Sequence, residues 1–181
     1  EQARVLFSQF GYSGTSVRQI AEKSGVNIAA INYHFGSKQN LYWSVIDEAC
    51  GWMQQVAKEV CESSETIEEF SVNLFRSLTR EGHYVVSTMK TFLNSSDAVP
   101  QGDLEYMQRI QEEMGPPGHE HMVPWILKHY PNAQQKSVDW VVMCLFSSIF
   151  HFATMTSSSH YDEIKKKKLS IEDIESSLKT M

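Results

Sequence analysis

Cysteine is scarce in this sequence, and its placement excludes the common cysteine-based scaffolds. Cys50, Cys61 and Cys144 are odd in number, and no C-x-x-C pair occurs. A disulfide framework or a zinc site is therefore not expected, and a reducing cytoplasm fits this cysteine usage. Buried structural thiols are favoured over a redox-sensing thiol.

Long apolar runs and targeting segments are also missing. No apolar run approaches the roughly 18–20 residues of a membrane span, and no signal peptide is visible. The longest apolar stretch, residues 138–152, is interrupted by cysteine, serine and histidine. We therefore predict a cytoplasmic protein with no membrane partner. With 41% hydrophobic and 21% charged residues over 181 positions, the composition is that of a globular chain of one large or two small domains.

Catalytic and metal-binding patterns are absent as well. The sequence contains no G-x-S-x-G, no phosphate-binding loop and no paired carboxylates on one predicted helix face. His119 and His121 are two residues apart, which places them on different sides of a helix, unlike the two ligands of H-E-x-x-H. We predict no enzymatic activity, no catalytic residue, no metal and no cofactor.

What the sequence does contain is a stretch, residues 15–38, that predicts two short helices joined by a tight turn. Ser16 is a suitable N-cap, and Gln19 completes a capping box with it. Apolar residues then recur at helical spacing until Gly25, which can adopt the left-handed conformation that ends a helix. Val26 is predicted to plug the core, and Asn27 to cap the next helix.

The second predicted helix of this stretch spans residues 28–35. Ile31 and Phe35 are four residues apart and are expected to face inward, and Gly36 ends the helix. The residues expected to face outward are Ala29, Ala30, Asn32 and Tyr33, whereas His34 fits either side. Two helices in this arrangement form a helix-turn-helix, whose second helix enters the DNA major groove.

At these residues the sequence resembles the TetR family of transcriptional regulators. The likeness rests on F-G-Y-S-G-T-S-V (10–17), I-A-E-K-S-G-V (20–26) and I-N-Y-H-F-G-S-K-Q-N-L-Y (31–42), about the first quarter of the chain. One departure is Asn32, where the family more often has an aromatic residue. The resemblance implies a DNA-binding head, a helical ligand domain, dimerisation through C-terminal helices and a further turn or two of helix, often basic, before Glu1.

The remaining sequence predicts helices throughout, and therefore an all-α fold. We expect a three-helix DNA-binding domain at 1–37 and a ligand-binding and dimerisation domain at 38–181, linked by a helix at 38–61. The first helix, 1–10, should bury Val5, Leu6, Phe7 and Phe10. Further helices are predicted at 66–80, 84–93, 104–114, 119–130, 133–156 and 170–179. Residues 94–103 and the lysine run 165–168 are interpreted as solvated loops, and Gly115–Gly118, with two prolines, as a break.

A net charge of −6 is unusual for a DNA-binding protein, but residues 1–50 are balanced. Such a head binds DNA weakly as a monomer, so we expect a dimer. Lys38 lies in the first turn of its helix, where a cation opposes the helix dipole, and a DNA phosphate would account for it. A solvated lysine is the alternative. The candidate DNA-contacting residues are Thr15, Ser16, Arg18, Asn27, Ala29, Ala30, Asn32, Tyr33 and Lys38.

Two further sets of residues are assigned in the second domain. The helix 133–156 is apolar on nearly every side, which predicts burial against the core and against a partner chain. Its candidate dimer-interface residues are Val142, Phe146, Ile149 and Phe150. Aromatic and methionine residues suit an adaptable apolar pocket, although plain core is their default role. The candidate ligand-binding residues are Trp52, Phe75, Phe92, Met107, Trp125 and His151, the last as a polar anchor.

Together these features predict a homodimeric repressor that binds a palindromic double-stranded DNA operator and responds to a small, partly hydrophobic effector. A second reading is a helical small-molecule carrier or enzyme with a merely structural helix-turn-helix. A third is a regulator controlled by a protein partner.

Overall fold

A computed structural model describes residues 1–80, 82–94, 115–156 and 170–178 of the chain. Within these ranges the chain forms nine helices and no strand, which confirms the predicted all-α class. The helices are α1 (Gln2–Phe10), α2 (Val17–Ser24), α3 (Ile28–Phe35), α4 (Lys38–Ser63), α5 (Ile67–Arg80), α6 (His83–Asn94), α7 (His119–His129), α8 (Gln135–Thr156) and α9 (Ile171–Leu178).

The predicted helix boundaries agree with these to within two residues in the described ranges. The helix α3 has the predicted bounds, and α4 continues two residues beyond the predicted Cys61. Pro124 lies inside α7. The predicted helix at 104–114 and the lysine run at 165–168 lie outside the described residues, as does the predicted loop beyond residue 94.

The contacts divide the chain into two compact units. Among described residues, the first unit contains 1–50 and 87–94, and the second contains 51–86, 115–156 and 170–178. The helices α4 and α6 contribute residues to both. The predicted boundary between residues 37 and 38 stays a prediction.

The first unit has an aromatic core built where α1, α2 and α3 meet the start of α4. Phe7 and Tyr42 are almost fully buried, and their rings meet edge to face with centroids 5.0 Å apart. Other members of this core are Ala3, Leu6, Ile20, Ala21, Ile31, Leu41, Trp43, Val45 and Ile46. Three expected core residues are wrong, because Val5, Phe10 and Val26 are 40%, 57% and 47% exposed.

The second unit is organised around α5, which packs against α8 and α9, while α7 packs on α8. Phe75 of α5 is fully buried. Arg76 ties α5 to the last described helix, because its Nε and Nη2 each donate to a carboxylate oxygen of Glu175 at 2.7 Å. Such a bidentate pair fixes geometry more firmly than a single ion pair.

Helix α8 buries one stripe and exposes the opposite side. Its buried residues are Val138, Val142, Leu145, Ile149 and Ala153. Trp140, Val141 and Met143 are 70%, 39% and 43% exposed. The predicted burial of this helix against its own core is confirmed, and its burial against a partner chain stays a prediction.

The predicted dimer-interface set also needs correction. Val142 and Ile149 are 1% and 0% exposed within one chain, so they belong to its own core and cannot face a partner. Phe146 and Phe150 are half-buried and stack with centroids 5.8 Å apart.

Helix α8 is also long and apolar enough to cross a membrane by length and composition, with a mean hydropathy of 1.5. The helix meets this criterion although its apolar runs are interrupted, because a few scattered serines lower the mean hydropathy only slightly. A single helix of this kind is weak evidence for a membrane span, since core helices pass the same test.

Candidate nucleic-acid interface

The helix-turn-helix begins with a reciprocal cap at Ser16, as predicted. Gln19 N donates to Ser16 Oγ at 3.2 Å, and Ser16 N donates to Gln19 Oε1 at 2.8 Å. The Ser16 hydroxyl also donates to Gln19 Oε1. Ser16 is exposed, but its side chain is already engaged in holding the start of α2. Arg18 is exposed in the first turn of that helix.

Thr15 does not present its side chain to solvent. It is 2% exposed, and its Oγ1 donates to the carbonyl oxygen of Leu6 at 3.1 Å. The assignment of Thr15 as a DNA-contacting side chain is therefore wrong in this structure. Its hydroxyl instead fastens the turn before α2 to α1.

The turn between the two helices follows the predicted chemistry. Gly25 has φ 66° and ψ 24°, the left-handed conformation that glycine adopts at least cost. Asn27 caps α3, because its side chain accepts a hydrogen bond from Ala29 N at 2.9 Å. These two local features set the direction in which α3 leaves the turn.

Helix α3 is anchored on one side and open on the other. Ile31 is buried and Phe35 is half-buried, whereas Ala29, Ala30, Asn32 and His34 are exposed. Tyr33 is 92% exposed, and no residue of α3 is acidic. The exposed side therefore offers small apolar groups, an amide and a phenol, without a carboxylate that would repel phosphate.

The start of α4 lies directly after α3 and is braced against it. Ser37 Oγ accepts from Asn40 N at 3.0 Å, and Asn40 Nδ2 donates to the carbonyl oxygen of Phe35 at 3.0 Å. Lys38 places its Nζ 4.1 Å from the centroid of the Tyr12 ring. Burial lowers the pKa of Lys38 from its ordinary value. The sequence reasoning found Lys38 but missed Asn40 and Tyr12.

Comparison with known proteins decides what this arrangement is. The family model described as bacterial regulatory proteins, tetR family, matches residues 1–45. The first quarter of the chain is therefore similar to the TetR family of transcriptional regulators, which is not a family of enzymes.

Individual TetR-type relatives match mainly over part of the chain. The probable HTH-type transcriptional regulator YttP of Bacillus subtilis is 38% identical over 82 residues, which is 45% of this chain and 34% of YttP. The HTH-type transcriptional repressor AcnR of Corynebacterium glutamicum is 39% identical over 59 residues, 33% of this chain and 31% of AcnR. The chain thus spans about a third of the length of these relatives.

Solved structures extend the likeness of fold to nearly the whole chain. A transcriptional regulator from Aquifex aeolicus superposes with a TM-score of 0.66 at 18% identity, covering 99% of this chain and 92% of that one. The ketosteroid transcriptional regulator KstR2 of Mycobacterium tuberculosis gives 0.56 at 16% identity, covering 84% and 78%. At these identities the comparison establishes the TetR fold alone.

The residues predicted from the sequence to bind the effector differ in burial and in their neighbours. Phe75 is fully buried and Trp52 is half-buried, with its ring 6.4 Å from that of Tyr84. Trp125 is half-buried between Phe70 and His129, at centroid distances of 5.3 and 4.5 Å. Met107 and the side chain of Phe92 lie outside what the structure describes.

His151 does not serve as the predicted interior anchor, because it is exposed on α8. A surface hollow of about 510 Å³ in the second unit is lined by Ser63, Glu68, Glu69, Val72, Asn73 and Arg76. Five of these six residues are polar or charged, and none is a predicted effector residue. Among described residues no cluster of metal-ligating side chains is found.

Proposed function

We propose that this TetR-type chain is a cytoplasmic repressor that binds a near-palindromic DNA operator as a homodimer and is released or recruited by a small, partly hydrophobic effector. The observation that carries the proposal is the open side of α3. Ile31 holds this helix to the core, while Ala29, Ala30, Asn32 and Tyr33 remain exposed.

The exposed groups of α3 match the chemistry of the major groove. Alanine methyl groups suit contacts with the thymine methyl, and an asparagine amide can pair bidentately with adenine. Each good bidentate contact contributes roughly 1–3 kcal/mol of discrimination against the wrong base. We infer that Asn32 reads an adenine and that Tyr33 contacts the adjacent base edge or backbone.

Phosphate contacts are assigned to the edges of the motif. Lys38 lies at the start of α4 and Arg18 in α2, both on the elements that flank α3. Neutralising a phosphate releases a counterion, so each such contact should raise the salt dependence of binding. Asn27 and Ser16 support this surface through their caps more than through free side-chain donors.

Dimerisation is proposed through the exposed side of α8. Trp140 and Met143, three residues apart and therefore neighbours on one side of the helix, form an apolar patch that a single chain leaves in water. Phe146 and Phe150, half-buried, lie farther along the same helix. In a two-fold dimer formed through this patch, two copies of α3 would enter successive major grooves, about 34–36 Å apart or a small multiple of that distance.

Effector control is assigned to the second unit. Trp52, Phe75 and Trp125 are the aromatic residues of the second unit that we assign to an effector site. The structural neighbour KstR2 is described as a ketosteroid regulator, and a hydrophobic ligand of that kind would suit a site lined by these aromatic residues. An effector changes DNA binding only by its differential affinity for two states, and a tenfold change needs about 1.4 kcal/mol.

The deciding experiment is selection of the operator from random-sequence DNA, followed by binding of the enriched duplex. We expect a near-palindrome with an adenine at one symmetric position whose preference relaxes in Asn32→Ala. The matched control is Asn132→Ala, an exposed asparagine outside the helix-turn-helix that should leave the selected sequence unchanged. Failure to enrich any sequence would favour the carrier reading.

A second measurement concerns assembly. Trp140→Glu should convert the dimer to monomers in sedimentation velocity and abolish operator binding, because a charge would be buried in the interface. Lys58→Glu, a charge reversal at an exposed residue of α4, is the control. A Trp140→Glu chain that stays dimeric would exclude this patch as the interface.

A further inference from the structure

Tyr12 lies in the turn between α1 and α2 and is fixed by two buried rings. Its ring centroid is 6.4 Å from that of Phe7, nearly parallel at 16°, and 5.2 Å from that of Tyr42 at 61°. Phe7 and Tyr42 are 1% and 2% exposed. Tyr12 is thus held from behind, and its ring cannot turn away without disturbing this core.

The Tyr12 ring faces the one basic side chain at the start of α4. Lys38 Nζ lies 4.1 Å from the ring centroid, well inside the roughly 6 Å over which a ring attracts a cation. A lysine in the first turn of a helix is opposed by the positive end of the helix dipole. The negative face of the ring offsets this repulsion, so the ammonium has a defined position.

A defined position matters because an unrestrained lysine side chain pays a free-energy cost when it binds a phosphate. Its flexible stem loses considerable rotamer entropy when it is fixed, and its ammonium is strongly hydrated. Burial lowers the pKa of Lys38, which indicates that part of this hydration is already lost in the free protein. Both costs are therefore reduced before any anion arrives.

We propose that Tyr12 is a positioning residue, whose ring holds the ammonium of Lys38 ready for a DNA phosphate at the start of α4. This inference rests on the proposed DNA contact of Lys38. Tyr12 itself need not touch DNA. Its aromatic face carries the effect, so phenylalanine should replace it and an aliphatic side chain should not.

The geometry can be tested without DNA. The ε-methylene protons of Lys38 should show ring-current upfield shifts by NMR in the intact protein. Tyr12→Phe should keep these shifts, and Tyr12→Leu should lose them. Unchanged shifts in Tyr12→Leu would overturn the proposed contact, whatever the protein does with DNA.

The consequence for binding is tested with a fluorescein-labelled duplex of mixed sequence, titrated by anisotropy over a range of KCl concentrations. Phosphate contacts are independent of sequence, so the operator is not required. Tyr12→Leu should weaken binding about three- to tenfold, the range expected from losing one cation–π contact. Tyr12→Phe should bind like the unmodified protein.

A double-mutant cycle separates positioning from a structural role. Lys38→Met should weaken binding and reduce the salt slope by about one phosphate's share. Tyr12→Leu should then cause no further loss in the Lys38→Met background, with folding checked by circular dichroism. An equal loss in both backgrounds, or a loss in Tyr12→Phe as large as in Tyr12→Leu, would overturn the positioning role.

Failure of the underlying function gives a different result. If Lys38→Met leaves affinity and salt slope unchanged, Lys38 contacts no phosphate and the positioning proposal falls with it. The NMR shifts would still report whether the ring holds the ammonium. If the ring-current shifts are present but Lys38→Met does not weaken binding, the ring holds the ammonium and the proposed phosphate contact of Lys38 is wrong.

Discussion

Gly118 and Ala57 approach so closely that no side chain fits between them. A Cβ built on Gly118 would lie 2.3 Å from the Cβ of Ala57, and 3.7 Å from the carbonyl oxygen of Met53. Gly118 also has φ 91°, a conformation that residues with a side chain rarely adopt. The N-terminus of α7 therefore rests directly on the second half of α4.

Gly118→Ala should destabilise the fold strongly. Overpacking typically costs about 1–3 kcal/mol, and the left-handed backbone adds about 1–2 kcal/mol for a residue with a Cβ. We expect a loss of about 2–5 kcal/mol in the free energy of unfolding, measured by urea denaturation.

The matched control is Gly51→Ala, on α4 itself. A Cβ at Gly51 meets nothing within 4 Å, and the residue is helical and exposed. Removing a helix-interior glycine should stabilise the protein by up to about 1 kcal/mol. Equal effects from the two substitutions would show that helix propensity, and not the contact with Ala57, governs Gly118.

Ser16→Ala should loosen the start of α2. It removes the acceptor of the Gln19 amide and leaves the Gln19 side chain with a single partner at residue 16. N-cap replacement costs about 0.5–2 kcal/mol. We expect a lower melting temperature by calorimetry and faster amide exchange in α2.

Ser8→Ala is the control for that experiment. Ser8 Oγ donates to the carbonyl oxygen of Val5 within α1, and Ser8 caps no helix start. If the amides of α2 exchange as slowly in Ser16→Ala as they do in Ser8→Ala, the assigned role of the capping box is wrong.

The parts of the fold that could be predicted from sequence are those decided by local chemistry. Ser16, Gly25 and Asn27 act within two or three residues of themselves, so their caps and the bounds of α3 follow from the sequence. The outward side of α3 followed as well, because Ile31 and Phe35 mark its inward side.

The predictions that are wrong concern residues whose surroundings are set by tertiary contacts. Val142 and Ile149 were assigned to a partner chain because α8 is apolar on nearly every side, and such a sequence does not show which stripe faces the core. Thr15 is polar and was expected to face outward, but a carbonyl group of α1 satisfies its hydroxyl. The Tyr12 contact with Lys38 joins residues distant in sequence, and no local pattern announces it.

The two sides of α8 should respond differently to truncation. Ile149→Ala removes a fully buried side chain and should cost about 2–5 kcal/mol at any protein concentration. Met143→Ala removes a partly exposed one on the side of Trp140 and should cost little in a monomer. If the proposed dimer is correct, its cost should appear as a melting temperature that depends more strongly on concentration.

The free energy of unfolding at high pH should depend on the ionisation of Tyr42. Its hydroxyl lies on a side chain that is 2% exposed, and burial raises the pKa of Tyr42 from 10.0 to about 12. Between these values the unfolded chain loses its proton while the folded chain keeps it, so stability is present below pH 10 and falls as the pH rises through 12. The shift corresponds to about 2–3 kcal/mol in total.

Tyr42→Phe should remove this pH dependence, because phenylalanine does not titrate and keeps the ring that packs on Phe7. The measurement is the difference in unfolding free energy between the two proteins, taken by urea denaturation at several pH values below and above 10. Cys61, whose pKa burial raises to about 11, titrates in an overlapping window in both proteins and cancels in that difference. A difference that stays constant across the range would mean that the Tyr42 hydroxyl is ionised as easily in the folded chain as in the unfolded one.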